Sequence, residues 1–365
     1  MNRWIEVDLS AIRQNIKTLK SYSPNSELMA VVKADAYGHG LLETAKASRE
    51  AGATWLGTAL FEEAIELRDA GDSGKILAWL GDEENDFQES IARDIHLGVS
   101  TFSQLEKITK AATSLNKKAQ VHIKVDTGLN RNGISLEGFQ DFYQAIKAND
   151  ALNLVGIMSH FAFPDDPENQ VNHEQIARVN SLKAQINESV IFHLANSMAT
   201  LELPQAHFDL VRPGLAIYGL HPQGKVNRAN EFKLKPALSL KAKIVNLKDA
   251  KAAEGVSYNH TYRTQSDTKL AVIPLGYSDG IDRRAANCAP IEIEGKTYKI
   301  SGRVCMDQFV VDVGKEFKNA QATATLFGDS AKGFPSIEDW ADAVGTINYE
   351  IIARLASRLK RVYLN

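Results

Sequence analysis

The sequence predicts an α/β + β chain, with an N-terminal (β/α)8 barrel of the TIM type followed by a mostly β C-terminal domain. Strand-like apolar runs recur at Leu28–Val32, Trp55–Leu60, Lys75–Leu80, Ile95–Val99, Val121–Val125, Leu152–Met158, Val190–Leu194 and Phe208–Val211, with helical patterns between them. Strict alternation of this kind over roughly 200 residues is the spacing of a closed parallel barrel. After Pro236 the texture changes to short apolar runs broken by glycine-containing turns, as in a β domain. No G-x-G-x-x-G opens the first βα unit, which disfavours an open dinucleotide-binding sheet. The expected division is 1–236 for the barrel and 237–365 for the β domain.

Taken in order, Trp4–Val7 is a strand that precedes the barrel pattern. It is expected to pack with the C-terminal domain, because chain termini often lie close together. Ser10 is a good N-cap for a helix carrying Ile12, Ile16 and Leu19 on one face. Phe61–Ala70 repeats the helical pattern with Ala64, Ile65 and Leu67, and Ser135–Ala148 does so with Phe139, Phe142, Tyr143 and Ile146. The weakest helix lies near Leu203–Pro204, and the polar stretch Gln223–Lys235 reads as a linker. Beyond it, Ala237–Leu247, Leu270–Pro274, Ile291–Ile293, Lys299–Val304 and Phe309–Val313 read as strands, and Ile337–Ala343 and Tyr349–Leu359 as helices.

At 365 residues the chain exceeds what one core usually supports, in keeping with two domains. Its apolar content of 44% and charged content of 24% are those of an ordinary globular protein. A net charge of −3 provides no basic field, so no nucleic-acid partner is expected. Two cysteines, Cys288 and Cys305, in so large a chain suggest a reducing compartment. The start, MNRWIEVDLS, has an acid at position 6 and no apolar core of signal-peptide length. No run of about 18 apolar residues occurs, so no membrane partner is expected. The expectation is a soluble cytoplasmic protein that uses no metal.

The most informative stretch is AVVKADAYGHG at residues 30–40. Lys33 closes an apolar strand and enters a polar, glycine-bearing turn, the place where α/β enzymes keep their chemistry. A lysine there can lose its proton by desolvation and form a Schiff base with a carbonyl. Tyr37 offers a hydroxyl to a phosphate. Other strands end in the same way: Lys124 and Asp126 in HIKVDTGLNR, His160 in GIMSHFA, Asn196 and Ser197 in FHLANS, and Arg212 in FDLVRPG. Taken singly, each is an ordinary solvated strand end. Their shared placement at one barrel mouth is what a site requires. Barrels often hold phosphate with the loops after strands 7 and 8. There Ser197 supplies a hydroxyl, while Gly214 and Leu215 of RPGLAIYG supply backbone N–H groups. The expected ligand is a phosphate-bearing aldehyde lying between Lys33 and that anchor.

KADAYGHG, VDTGLNR, SHF, ANS, RPG, GVSYNHTY, PLGYSDG, GRVCMDQF and INYE follow one another over essentially the whole chain. With these motifs the sequence resembles the bacterial alanine racemases. The resemblance implies interconversion of L-alanine and D-alanine, supplying D-alanine for peptidoglycan, with pyridoxal 5'-phosphate as cofactor. It further implies a homodimer, joined head to tail, whose active sites draw on both chains. Lys33 would form the internal aldimine and act as one base, with Tyr258 from the partner chain as the other. Tyr37, Ser197, Gly214, Leu215 and Tyr349 would bind the phosphate, with His160 and Asn196 also beside the cofactor. Arg131 would approach the phenolic oxygen and the substrate, and Arg212 the pyridine nitrogen. Lys124 matches the position that is often a carbamate. Met306 and Asp307 would lie near the substrate carboxylate, and Cys305 next to them would be structural. Exchange of the α-proton between two faces needs a base on each side. Arg212 and His160, relayed by hydrogen bonds, are expected to support Tyr258 in that role.

The chain departs from the family's commonest pattern at Asn132, in the acidic loop SHFAFPDDPE, and in a closing ASRLKRVYLN that lacks a proline. None of these changes removes a residue with an assigned chemical role. The nearest rival is a racemase for another small amino acid, such as serine. A decarboxylase of the same architecture would place a carboxylate where Arg212 stands, to build a stronger electron sink. A non-catalytic cofactor carrier would need neither GVSYNHTY nor CMDQF.

Overall fold

Residues 2–81 and 86–365 are described by a computed structural model. Strand β1 (Arg3–Asp8) runs directly into helix α1 (Leu9–Tyr22). The cap of α1 is Asp8 and not Ser10. The Asp8 carboxylate accepts the Ala11 N–H at 3.0 Å, while Ser10 lies inside the helix and donates its hydroxyl to the same oxygen. Between two eligible caps, an ionised acceptor makes the stronger bond and suits the positive end of the helix dipole. The expected stripe of Ile12, Ile16 and Leu19 is buried. Buried among them, Asn15 bonds the carbonyls of Ile217 and Lys235 and accepts the Lys235 N–H, tying α1 to the segment that leaves the barrel.

The barrel strands are β2 (Glu27–Val31), β3 (Trp55–Thr58), β4 (Lys75–Ala78), β5 (Ile95–Val99), β6 (Ala119–Lys124), β7 (Leu152–Met158), β8 (Ile191–His193) and β9 (Leu210–Val211). They form one sheet in the order β8-β7-β6-β5-β4-β3-β2-β9, and every named pairing is parallel. Its ends meet where Asp209 N–H reaches the Phe192 carbonyl at 3.1 Å and Arg212 N–H reaches the Ala195 carbonyl at 2.9 Å. Both faces of the strands are buried, which is why they read as continuous apolar runs. Met29, Trp55 and Leu77 pack inside the barrel, while Ala30, Leu56 and Ile76 pack outward against the helices. Inside, Gly156 makes room for a histidine: a Cβ there would lie 2.3 Å from His122 Nδ1.

Several elements differ from expectation at their edges. The helix expected from Ser135 begins at Phe139, after a turn in which Ser135 Oγ accepts the Gly138 N–H. The stretch at Leu203–Pro204 is a 3-10 turn (Pro204–Ala206) behind a short helix (Ser197–Glu202). The expected linker contains a helix of its own, Val226–Glu231, which buries Ala229.

Beyond the barrel lie β10 (Leu238–Lys243), β11 (Asn246–Ala250), β12 (Gly255–Val256), β13 (Tyr262–Arg263), β14 (Thr268–Ile273), β15 (Pro290–Ile293), β16 (Lys296–Lys299), β17 (Phe309–Asp312), β18 (Thr323–Phe327) and β19 (Lys360–Leu364). One sheet runs β16-β15-β18-β10-β1-β19, a second runs β11-β14-β17, and β12 pairs with β13. Ala237–Leu247 is therefore two strands, not one. The backbone changes partners between them: Ile244 N–H bonds Ala322 while Val245 N–H bonds Val272. Only the start of Lys299–Val304 is strand, followed by an isolated bridge from Ile300 to Val311. The helix expected over Tyr349–Leu359 spans Asn348–Ala353, and the tail then returns as β19, parallel to β1. Among the described residues, no helix is long and apolar enough to cross a membrane.

If Asp8 is the cap, Asp8→Ala should lower the unfolding free energy by about 1 kcal/mol and Ser10→Ala by clearly less. Urea unfolding of the two variants checks this, and the opposite ranking would return the cap to Ser10.

Candidate active site

Lys33 leaves the C-terminal end of β2 and enters an unusual turn. Ala34, Asp35, Ala36 and Tyr37 have φ of 53°, 52°, 52° and 53°, a left-handed turn built without glycine. Such a conformation costs roughly 1–2 kcal/mol per residue, so its surroundings must hold it. Ala36 N–H bonds the Val32 carbonyl at 2.8 Å, Gly40 N–H bonds that of Asp35 at 2.9 Å, and Leu41 N–H bonds the Asp35 carboxylate at 2.8 Å. Glu63 accepts the Ala34 N–H at 2.6 Å. The buried His39 ring lies 4.3 Å from the Tyr218 ring, with Nδ1 3.1 Å from the carbonyls of Ala36 and Tyr37. The turn delivers Tyr37 to the barrel mouth, its ring 5.0 Å from Tyr218 and 6.3 Å from Tyr349.

A cavity of about 460 Å³ opens there. Lys33, Tyr37, Lys124, Arg131, His160, Asn196, Ser197, Arg212, Gly214, Leu215 and Tyr349 all line it, so one wall set gathers residues spread over more than 300 positions of sequence. Trp79 and Met158 line it too and were not singled out from the sequence. Trp79 immediately follows β4, a strand-end position that was a usable signal, but it carries no titratable group.

The cavity is rich in cations. Burial, and then the charge of Arg131, lower the Lys33 pKa from that of an ordinary lysine, while Glu63 opposes the shift. Burial followed by Arg131, Arg212 and Lys33 pushes Lys124 down to about 8. Burial brings Arg212 down to about 10, still protonated at neutral pH. Burial and the nearby cations hold His160 well below its usual range. Tyr37 and Tyr349 are pushed up by burial and remain hydroxyl donors. This is a donor set for an anion.

Arg212 is fixed from behind. Its Nη1 donates to the His193 carbonyl at 2.6 Å and meets His193 Nδ1 at 3.2 Å, while Nη2 donates to the Ser159 carbonyl at 2.7 Å. His193 Nε2 continues to His122 Nδ1 at 2.9 Å, and His122 Nε2 to His96 Nδ1 at 3.2 Å. An arginine can only donate, so each imidazole in turn accepts at Nδ1 and donates at Nε2. Ser197 Oγ accepts the N–H groups of Gly214 at 3.0 Å and Ala216 at 3.1 Å, which leaves its own O–H to donate. The Gly214 N–H is thus already engaged by Ser197. A Cβ on Gly214 would come within 2.5 Å of Tyr37 Oη, so only glycine admits that hydroxyl. Asn196 caps the helix after it, accepting the Ala199 N–H. A lysine amine facing hydroxyl donors and fixed cations fits the phosphate-bearing aldehyde expected from the sequence.

Tyr258, Met306 and Asp307 do not line this cavity. Tyr258 is 69% exposed and Met306 54% exposed. Tyr258 borders a separate depression with Tyr277, Arg283, Arg303 and Cys305. Its loop is also backbone-strained: Ser257, Asn259 and His260 have φ of 60°, 59° and 46°. Asp307 is engaged by Arg358 at 2.7 Å and Ser278 at 3.0 Å, and these bonds hold its carboxyl below the usual range. The expected hydrogen-bond relay from Tyr258 through His160 to Arg212 is not assembled within one chain. Tyr277, Arg283 and Arg303 were missed, although they sit in or beside PLGYSDG and GRVCMDQF. Cys305 is a free thiol close to Ser257 Oγ.

A family model described as alanine racemase, N-terminal domain, matches residues 7–222, and one described as alanine racemase, C-terminal domain, matches residues 237–363. An alanine racemase of Salinispora tropica is 44% identical over 367 residues, covering 98% of this chain and 97% of that protein. One of Streptomyces coelicolor is 41% identical over 372 residues, covering 99% and 95%. The crystal structure of alanine racemase from D-cycloserine-producing Streptomyces lavendulae matches with a TM-score of 0.97 at 41% identity, covering 100% of this chain and 97% of that one. The Bacillus anthracis alanine racemase with bound L-Ala-P matches with a TM-score of 0.91 at 34% identity, covering 100% and 95%.

The buried histidines imply a pH dependence. His122 is held well below its usual value by burial and then by His96 and Arg212. Below about pH 6.5 the unfolded chain takes up a proton at this position and the folded chain does not. The stability His122 contributes as a neutral group is therefore complete above that pH and is lost as the pH falls. In urea unfolding between pH 6 and pH 5, His122→Asn should flatten the decline by about 1.4 kcal/mol per pH unit. An unchanged slope would mean that His122 is protonated in the fold.

Proposed function

This chain belongs to the alanine racemase family and is an amino-acid racemase, and we propose that it interconverts L-alanine and D-alanine with pyridoxal 5'-phosphate and one base from each of two chains. The observation that carries this reading is the division of the predicted residues: Lys33 faces a cation-rich cavity at the barrel mouth, while Tyr258 stands exposed on the other domain.

Lys33, less basic than an ordinary lysine because it is buried and faces Arg131, would hold the cofactor covalently. The hydroxyls of Tyr37, Ser197 and Tyr349, with the backbone at Gly214 and Leu215, would surround its phosphate, and His160 and Asn196 would complete the wall. Arg131 would meet the phenolic oxygen and the substrate. When bound, the cofactor supplies an electron-withdrawing ring that stabilises negative charge on the substrate Cα. Arg212, pinned from behind and still a cation near neutrality, would face the ring nitrogen and give it no proton. Electron withdrawal is then limited, which suits reversible proton exchange and disfavours transamination. A carboxylate would be needed at this place for the decarboxylase reading.

Lys33, freed when substrate takes its place, would move the proton on one face of Cα. Tyr258 of the partner subunit would move it on the other, with Met306 of the partner subunit and Asp307 of the partner subunit near the substrate carboxylate. The exposure of Tyr258 and Met306 in a single chain supports a homodimer that buries them. Lys124, brought down to about 8 by burial and the neighbouring cations, would take up carbon dioxide through its neutral amine, release one proton to solvent and leave a carbamate anion near Arg131. The product would be D-alanine for peptidoglycan, made in the cytoplasm.

Borohydride treatment of the cofactor-loaded protein should place the reduced cofactor on the peptide containing Lys33, and Lys33→Ala should abolish both label and racemisation. Recovery of the label on Lys124 would overturn the assignment. Deuterium wash-in from heavy water, followed for each enantiomer, tests the second base. Tyr258→Ala should lose exchange with L-alanine while exchange with D-alanine through Lys33 persists. Equal loss for both enantiomers would make Tyr258 a positioning residue.

A further inference from the structure

The left-handed turn after Lys33 is braced by the last strand of the chain. Arg361, in β19, donates from Nε to the Gly38 carbonyl at 2.9 Å. Its Nη2 lies 2.7 Å from the Asp35 carboxylate, and its side chain is 12% exposed. Asp35 works in two directions, because its other oxygen accepts the Leu41 N–H. One guanidinium therefore grips the turn at both its middle and its end.

The tail also shapes the turn's outer side. A Cβ on Gly38 would lie 2.3 Å from the Ile352 carbonyl oxygen, and one on Gly40 would lie 2.0 Å from Tyr363 Oη. Both glycines of the GHG end have positive φ, 82° and 97°. The turn is thus pressed directly against residues 352–363. β19 is itself held parallel to β1, with Arg361 opposite Ile5. The absence of proline from the closing RLKRVYLN leaves this strand pairing intact.

We propose that Arg361 is a positioning residue for the reaction: by clamping Asp35 and the Gly38 carbonyl it holds the left-handed turn, and so fixes Lys33 and Tyr37 at the cavity. Asp35 is 48% exposed, and an ion pair so exposed adds little by charge alone. What Arg361 contributes is the fork geometry, with a carboxylate and a carbonyl bound by one rigid plane. A lysine, as a point charge, cannot reproduce it. The proposal rests on the reading that Lys33 carries the cofactor, and its main test does not.

Amide hydrogen exchange of the cofactor-free protein, read by mass spectrometry over residues 34–41, compares wild type with Arg361→Gln, Arg361→Lys and Asp35→Asn. Asp35→Asn keeps an acceptor for the Leu41 N–H but removes the charge facing Arg361. Ile108→Ala, which opens a cavity under the helix Phe102–Ser114 beside β6, four strands away from β2, serves as the control for general destabilisation. Arg361→Gln should speed exchange in this segment by about tenfold, the loss of one charge-assisted grip. Arg361→Lys and Asp35→Asn should fall between it and wild type, while Ile108→Ala lowers the melting temperature without singling out the segment. In the same variants the dissociation constant of pyridoxal 5'-phosphate, measured by fluorescence titration, should rise by about as much as exchange does. Unchanged exchange at 34–41 in Arg361→Gln, or equal acceleration in Ile108→Ala, would overturn the clamp. If borohydride fails to label Lys33 in wild type while the exchange pattern holds, the cofactor reading has failed and the clamp has not.

Discussion

A turn of four non-glycine residues with positive φ, set at the end of the first barrel strand, is the constraint on which the site depends. A right-handed turn would continue easily from Lys33 but would send Tyr37 elsewhere. The chain accepts the cost of left-handedness because the surroundings leave little choice. Glu63, the Asp35 side chain, His39 and Arg361 each bond part of the turn, and Gly38 and Gly40 allow the C-terminal residues to press against it. The C-terminal domain thereby serves the barrel of its own chain, through contacts beside the lysine that would do the chemistry.

Electrostatics sets the second condition. Lys33, Lys124, Arg131 and Arg212 line one cavity, and burial, then mutual repulsion, lowers the basicity of the lysines. An anionic ligand relieves that repulsion. Arg212 cannot move to relieve it, being held by the His193 and Ser159 carbonyls and backed by imidazoles with a single hydrogen-bond direction. A fixed cation that shares a cavity with a buried lysine amine is preorganised for an anion, made ready before the ligand arrives.

Much of this was legible in the sequence, for identifiable reasons. Parallel strands buried on both faces leave apolar runs, so the barrel could be read, and barrel chemistry sits at strand ends, so Lys33, Lys124, His160, Asn196, Ser197 and Arg212 could be placed together. The left-handed turn could not be read, because Ala-Asp-Ala-Tyr contains no glycine and its φ values are imposed by distant contacts. β19 was hidden for a similar reason: KRVYL has a mixed burial pattern, and its strand state comes from pairing with β1, at the other end of the chain. Asp8 and Ser10 are both good caps by residue type, and only geometry decides between them. Trp79 escaped because it has no charge to attract notice. Tyr258 was found by motif, but its separation from Lys33 in a single chain is a property of the fold.

That separation is what supports the proposal that a complete site draws on two chains. Mixing Lys33→Ala and Tyr258→Ala subunits under conditions that allow exchange tests it most directly. In a mixed dimer one site carries both lesions and the other carries neither. Random pairing makes about half the dimers mixed, so activity should return to roughly a quarter of wild type from two nearly inactive parents. If mass measurement confirms exchange and activity stays at the level of the parents, both bases come from the same chain and the shared site is contradicted.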